Sequence, residues 1–155
     1  MEGWQWLYPW LKYAHVLLAI TAVGFNMTYG VWLTRAAGNP GVWAFVLRGI
    51  RLLDNRFANP AYGLLLVTGL GMVLVGGLDL TRFWLLAALA LYILVMALGI
   101  AAYSPLLRRQ VALAEAGQVD DAEFAALTGR GRLLGIVLAV IVLLIVFLMV
   151  VKPGA

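Results

Sequence analysis

The stretch WLKYAHVLLAITAVGFN, residues 10–26, decides the fold class. It is apolar enough to belong to a membrane-spanning helix, which needs about 20 residues to cross a hydrocarbon core of about 30 Å. It also carries Lys12, Asn26 and His15, the single histidine of the chain. Polar side chains are costly among lipid chains, so all three need a structural or functional explanation.

The composition of the whole chain is that of a membrane protein. Of its 155 residues, 65% are hydrophobic and 12% are charged, with a mean hydropathy of +0.99. A soluble domain is about half apolar and about a quarter charged. The chain has no cysteine, which excludes disulfides and thiolate metal sites. No basic cluster is interleaved with aromatic residues, so the net charge of +4 does not indicate nucleic-acid binding.

Four segments have the length and polarity of membrane spans. They cover residues 9–34, 60–77, 82–105 and 132–151, within one domain over residues 1–155. The predicted fold class is therefore all-α: a four-helix transmembrane bundle with short interfacial or cytoplasmic helices in both loops of one side.

Basic residues are distributed unequally between the two sides of these spans. Eight arginines lie in the loop after span one and the loop after span three: Arg35, Arg48, Arg51, Arg56, Arg108, Arg109, Arg130 and Arg132. The opposite side has only Lys12, Arg82 and Lys152. Positive residues are retained in the cytoplasm. The sequence thus predicts a bacterial plasma-membrane protein with both termini outside.

Both arginine-rich loops are predicted to contain helix. In GVWAFVLRGIRLLDNRF, residues 41–57, one face would bury Val42, Phe45, Val46, Ile50 and Leu53, with Arg48, Arg51 and Asp54 opposite. This pattern is typical of an amphipathic helix in the membrane interface. In the second loop, span three is expected to continue until Gly117 stops it. Asp120 with Glu123 then forms a capping-box-like start for the next helix.

Small residues mark helix-packing faces in two spans. Gly69 and Gly76 are seven residues apart in span two, on the same face as Tyr62. Gly131, Gly135 and Ala139 repeat every four residues at the start of span four. Such spacing lets membrane helices approach closely, so plain helix packing is the favoured interpretation.

Spans one and three each carry a stripe of polar and small residues. On the first helix, His15, Ala22 and Asn26 lie within about 20° of one another. The stripe on span three consists of Tyr92, Met96, Gly99 and Tyr103. The two stripes are expected to face each other inside the bundle. Asn26 is predicted to bond to Tyr92 or a backbone carbonyl, or alternatively to line a cavity for a quinone or porphyrin.

Three stretches carry a family resemblance that covers most of the chain. LKYAHVLLAITAVG (residues 11–24), NPAYGLLLVTG (59–69) and DAEFAALTGRGRLLG (121–135) resemble small bacterial integral membrane proteins classed as domain of unknown function 2269. More distantly, the Lys–His helix is similar to copper-resistance D proteins and HemJ-type protoporphyrinogen oxidases. The latter resemblance implies b-type haem at such a histidine. Because the chain has no second histidine, bis-histidine ligation within one chain is excluded.

Met72 is the candidate partner for His15 in such a site. Both residues lie about five positions from the same membrane face, which predicts similar depth. A His15–Met72 pair could supply the axial ligands of haem iron, with His15 as sole ligand a simpler variant. Alternatively, His15 forms only a hydrogen bond between helices and Met72 only fills space.

Two functions therefore remain open from the sequence. The favoured one is an accessory or structural subunit of a larger membrane assembly, with the lipid bilayer and other membrane subunits or further copies as partners. The alternative is a haem- or quinone-associated redox protein built around His15, with Asn26 and Tyr92 near the cofactor. No catalytic motif was found, so a role other than enzyme is favoured.

Overall fold

The structure, a computed structural model, describes residues 2–154, with the side chain of Glu2 excepted. Residues 1 and 155, the ends of the expected domain, lie outside this range. The described part consists of helices and the turns between them, without strands, and a 3₁₀ helix at Glu2–Leu7 leads into the first α-helix. Its α-helices are α1 (Tyr8–Ala37), α2 (Trp43–Leu53), α3 (Asn59–Gly76), α4 (Phe83–Leu98), α5 (Ser104–Glu115) and α6 (Ala122–Val151).

Four of the helical stretches are long and apolar enough to cross a membrane. Two of them are α1 and α6, each of 30 residues. The other two are continuous helices, 40–76 and 83–115, which join α2 to α3 and α4 to α5. The predicted all-α class with four spans is confirmed. The short helices expected in the loops are not separate elements, because α2 and α5 prolong the spanning helices.

A π-helical segment forms the junction in both continuous helices. The segments are Asp54–Ala58 and Gly99–Tyr103, and each is followed two residues later by a proline, Pro60 or Pro105. A proline inside a helix lacks an N–H donor, and its ring meets the carbonyl group one turn earlier. The wider π turn accommodates this conflict without ending the helix.

Glycine terminates two of the helices. Gly77, with φ +60°, follows α3, and the Leu78 N–H donates to the Val73 carbonyl oxygen at 3.1 Å. Gly117, with φ +75°, lies two residues after α5 and terminates it, as the sequence predicted. Both positions are left-handed, where a residue without Cβ is favoured. In the turn after α3, Thr81 donates two hydrogen bonds to Asp79, which lowers the pKa of this carboxyl group.

The predicted capping box before α6 is wrong. Asp121, rather than Asp120, is the residue that precedes the helix, and its side chain makes no capping hydrogen bond. Glu123 is instead held by Arg109 of α5, whose Nε and Nη2 donate to its two oxygens at 2.7 and 2.9 Å. This exposed bidentate ion pair joins the start of α6 to α5.

The predicted apolar face of α2 agrees with the structure at Val46 and Ile50, but its polar face is wrong at Asp54. Its buried face consists of Trp43, Val46, Leu47 and Ile50, and Asp54 continues it at the next turn. Phe45, on the predicted apolar face, is 73% exposed, whereas Asp54, predicted on the polar face, is buried. The spacing 43, 47, 50, 54 is that of a helix packed along its length against another helix. In agreement, α2 packs on α5 and on the end of α1.

The long helices associate as two pairs. Helix α1 packs along α3, and α4 packs along α6. Within the described residues, no part of the α1 backbone approaches α4 within 8 Å between Cα atoms. Span two, α3, therefore takes the place along span one that was expected for span three, although Tyr92 of α4 reaches the cluster formed by Ala22, Ala61 and Leu65.

The largest buried cluster lies at the arginine-rich end, where α1, α2, α5 and α6 meet. Leu47 and Ile50 are its most deeply buried large side chains. The ring of Trp43 meets Phe124 edge-on at 5.1 Å between centroids. A conventional side-chain core thus forms beyond the predicted spans and fixes how the helices enter them.

The predicted glycine face of α6 divides into two parts. A Cβ at Gly131 would lie 3.1 Å from Leu106 Cδ2, so Gly131 permits close packing of α6 against α5. A Cβ at Gly135 would have no heavy atom within 4 Å, and Ala139 is exposed. Within the described part of the chain, only Gly131 of this face packs against another helix.

Candidate functional site

Polar residues collect along the interface between α1 and α3, which glycines bring close together. A Cβ at Gly76 would lie 2.6 Å from Tyr8 Cε2, and a Cβ at Gly69 would lie 3.2 Å from His15 Cε1. Tyr8 and His15 are seven residues apart on α1, as Gly69 and Gly76 are on α3. The interface is therefore a regular antiparallel heptad seam in which large side chains fill places left by glycine.

His15 is bound across this seam by Thr68. Its Nδ1 atom lies 2.8 Å from Thr68 Oγ1, and the same hydroxyl lies 2.8 Å from the carbonyl oxygen of Leu64. A hydroxyl has one proton to donate, and a carbonyl oxygen can only accept. The proton of Thr68 therefore goes to Leu64, and His15 Nδ1–H donates to Thr68. This assignment follows from the hydrogen-bond network, as tautomer assignments do.

The second ring nitrogen of His15 is left without a partner. Nε2 carries the lone pair in this tautomer, and no residue in the described range 2–154 donates to it. It is not among the fully buried unpartnered side-chain atoms of the described residues. A fixed neutral imidazole with one open nitrogen can accept a hydrogen bond or coordinate a metal ion.

Met72 lies one turn beyond the residues that contact His15. It follows Gly69 by three residues, which places it about 4.5 Å further along α3. The partner that the structure gives to the imidazole is Thr68. The pairing of Met72 with His15 stays a prediction.

Asn26 and Tyr92 do not meet directly but are joined through Tyr62. The Asn26 amide donates to the Tyr62 hydroxyl at 2.8 Å and to the carbonyl oxygen of Ala22 at 2.8 Å. The Tyr92 hydroxyl donates to the backbone carbonyl of Tyr62. Tyr62 of α3 therefore links α1 to α4. The predicted hydrogen bond between Asn26 and Tyr92 is wrong, because each residue bonds to Tyr62 instead. Both residues nevertheless form hydrogen bonds between helices, as expected.

Asp54 is the polar residue that the sequence analysis misplaced. It is only 8% exposed, and Asn59 Nδ2 donates to its Oδ2 at 3.3 Å. Tyr29 and Tyr103 lie within electrostatic range of this carboxyl group. The hydroxyl of Tyr29 is buried and has no hydrogen-bond partner among the described residues. The spacing 43, 47, 50, 54 was the signal in the sequence that Asp54 faces inward.

No cluster of metal ligands occurs in the described part of the chain. No group of three or more His, Cys, Asp or Glu side chains lies close enough there to hold a metal ion. Any metal at His15 would thus depend on a prosthetic group or on ligands from another molecule.

The arrangement of spans agrees with the comparison with protein families. The model of one family, described as predicted integral membrane protein (domain of unknown function 2269), matches residues 9–153. The comparisons with curated proteins and with solved structures returned no match. The more distant resemblance to copper-resistance D and HemJ-type proteins is thus not shown. Because the match covers all four spans, the chain belongs to the domain of unknown function 2269 family of predicted integral membrane proteins.

Proposed function

We propose that this protein is an accessory subunit that packs laterally against another membrane protein in a bacterial plasma membrane. The observation that carries the proposal is the outward face of α1. Thr21, Gly24 and Thr28 follow one another at spacings of three and four residues, and all three are exposed. A Cβ at Gly24 would have no heavy atom within 4 Å.

The hydroxyl groups on this face are satisfied by their own helix. Thr21 donates to the Leu17 carbonyl oxygen at 2.9 Å, and Thr28 donates to that of Phe25 at 2.7 Å. The face therefore presents small side chains without an unpaired donor. Without a hydrophobic driving force between helices in lipid, small side chains favour association by permitting close backbone contact. The unpaired Gly135 on α6 offers a second place of the same kind.

The assembly can be tested with Gly24→Leu. Leucine has room within the chain, so we expect unchanged unfolding of the monomer in detergent and loss of the associated species. The control is Gly30→Leu, because Gly30 also has no heavy atom within 4 Å of a Cβ but lies about 120° away around α1. Association can be measured by crosslinking in native membranes and by light scattering of the purified protein. Equal association in both variants and the unmodified protein would contradict the proposal.

A second candidate function uses His15 as a ligand for haem or as a hydrogen-bond acceptor for a quinone. The observation that favours it is the unpartnered Nε2 atom of His15, which is not fully buried and belongs to a ring held in one tautomer by Thr68. A histidine that binds a metal through one ring nitrogen usually donates a hydrogen bond from the other, which fixes the orientation of the ring. When bound, haem would supply one-electron redox chemistry. Met72 is the candidate sixth ligand, with Asn26 on α1 and Tyr92 on α4 as further cofactor-binding candidates.

A visible absorption spectrum tests the haem candidate. We expect a Soret band from the purified protein that His15→Ala abolishes, whereas Met72→Ala alters it mildly. His15→Gln distinguishes the simpler role, because an amide can replace the hydrogen bond to Thr68 but not the iron ligand. A folded preparation that stays colourless when haem is supplied would exclude this candidate.

A further inference from the structure

Two adjoining clefts open at the arginine-rich end, between α2 and α5. They have volumes of about 310 and 140 Å³ and share Arg51 and Asn55. Arg48 and Arg56 complete the basic lining of the larger cleft, and Arg108 that of the smaller. We call the pair the arginine cleft.

The positive charges of the arginine cleft are largely uncompensated. Arg48 has one carboxylate, Glu115, at 3.9 Å. Arg51, Arg56 and Arg108 form no salt bridge within residues 2–154. Asp54 also lines the smaller cleft, but it is buried and accepts a hydrogen bond from Asn59. Three exposed arginines thus line the two adjoining clefts without a salt bridge, and they outnumber the carboxylates of Asp54 and Glu115 there.

The chemistry of the lining favours a phosphate group. A guanidinium group binds phosphate oxygens through two parallel N–H donors, and several such groups distribute the charge. Asn55 and Ser104 add neutral side chains that can donate hydrogen bonds.

The position of the cleft favours a lipid as the source of this phosphate. Arg56 and Ser104 lie at the predicted ends of spans two and three, next to Pro60 and Pro105, where the phosphate layer of a bilayer is expected. Leu52, Leu107 and Val111 provide an apolar wall beside the arginines. Basic pockets between membrane helices at this level suit anionic headgroups.

We propose that the arginine cleft binds the phosphate headgroup of an anionic phospholipid. Occupation would bridge α2 and α5 by charge-assisted hydrogen bonds, in addition to their apolar contact. The cleft lies before the start of α3, whereas His15 contacts the middle of α3 at Thr68, so the proposed site is separate from both functions proposed above.

The test is lipid binding to the full-length protein in detergent, followed by native mass spectrometry and thermal unfolding. Phosphatidylglycerol is compared with zwitterionic phosphatidylcholine and with inorganic phosphate alone. We expect selective retention of phosphatidylglycerol, weakened by added salt. The double variant Arg51→Gln/Arg108→Gln should reduce this affinity about thirtyfold, from the contribution of each arginine near a charged surface.

The matched control is Arg130→Gln/Arg132→Gln, which removes the same charge on the same side of the spans but outside the cleft. It should retain the lipid. If the first double variant does not fold, Arg56→Gln at an exposed position provides the second measurement, with an expected loss of about fivefold. Equal losses in cleft and control variants would overturn the proposal. Inorganic phosphate binding as tightly as phosphatidylglycerol would overturn the assignment to a lipid.

Discussion

At the scale of single residues, the sequence predicted that the His15 side chain points into the bundle, but it did not predict the residue that binds it. The place of His15 beside Ala22 and Asn26 on one helical stripe correctly indicated an inward position. The choice of Thr68 depends on the register between α1 and α3, which no property of α1 alone determines. The register could have been inferred by matching two heptads, Tyr8 and His15 on one helix with Gly76 and Gly69 on the other.

The hydrogen bond between His15 and Thr68 should contribute measurably to stability. Thr68→Val removes the acceptor while keeping the side-chain shape, so we expect the free energy of unfolding to fall by about 0.6 kcal/mol, with about 1.7 kcal/mol as the upper range for such bonds. Thr21→Val is the control, because Thr21 bonds only to its own helix. Denaturation in detergent measures both, and equal effects of the two variants would contradict a specific bond across the seam.

At the scale of helices, the spans were predictable and their internal junctions were not. Apolar length alone identified all four helices. The π segments before Pro60 and Pro105 each add one residue to a helical turn. Side chains beyond each segment therefore point in directions that a uniform 3.6-residue period does not predict. The error on α2 had another cause. The predicted apolar face was centred about 80° away from the buried one, because it included Phe45 and placed Asp54 opposite.

Close approach of α1 and α3 should depend on glycine at position 69. In Gly69→Leu, the Cβ atom alone would stand 3.2 Å from His15 Cε1, and the rest of the side chain has no space. We expect a loss of about 1–3 kcal/mol, the usual cost of overpacking. The same change at Gly63 on the same helix should be tolerated, because a Cβ there has no heavy atom within 4 Å. Thermal unfolding of the two variants compares them, and similar midpoints would argue against a tight seam.

At the scale of the molecule, composition predicted the membrane class, whereas the pairing of helices required the structure. Span one has two sequence-compatible partners, since α3 offers glycines and α4 offers tyrosines. The glycines prevail because they let backbones approach closely, while tyrosine reaches over a greater distance, as Tyr92 does to Tyr62. Polarity marked the faces but not this difference in distance.

The arginine asymmetry predicts the orientation of the whole bundle, and reporter fusions can test it. Fusions after Ala36 and after Gly117 should both report the cytoplasm, and a fusion at the C-terminus should report the outside. Ala36 and Gly117 both lie at the end where the arginines collect. A C-terminal reporter found in the cytoplasm would reverse the orientation or remove a span.

The division into an α1–α3 pair and an α4–α6 pair also sets an order of events during synthesis. Helix α1 meets its partner as soon as α3 has been made, whereas α4 waits for α6. After α3 is complete, the ribosome adds 75 more residues, 77–151, before α6 is complete. At about 5–20 residues per second, they take a ribosome about 4–15 s. The first hairpin therefore has seconds to assemble alone, and the later helices are added to a scaffold that already exists.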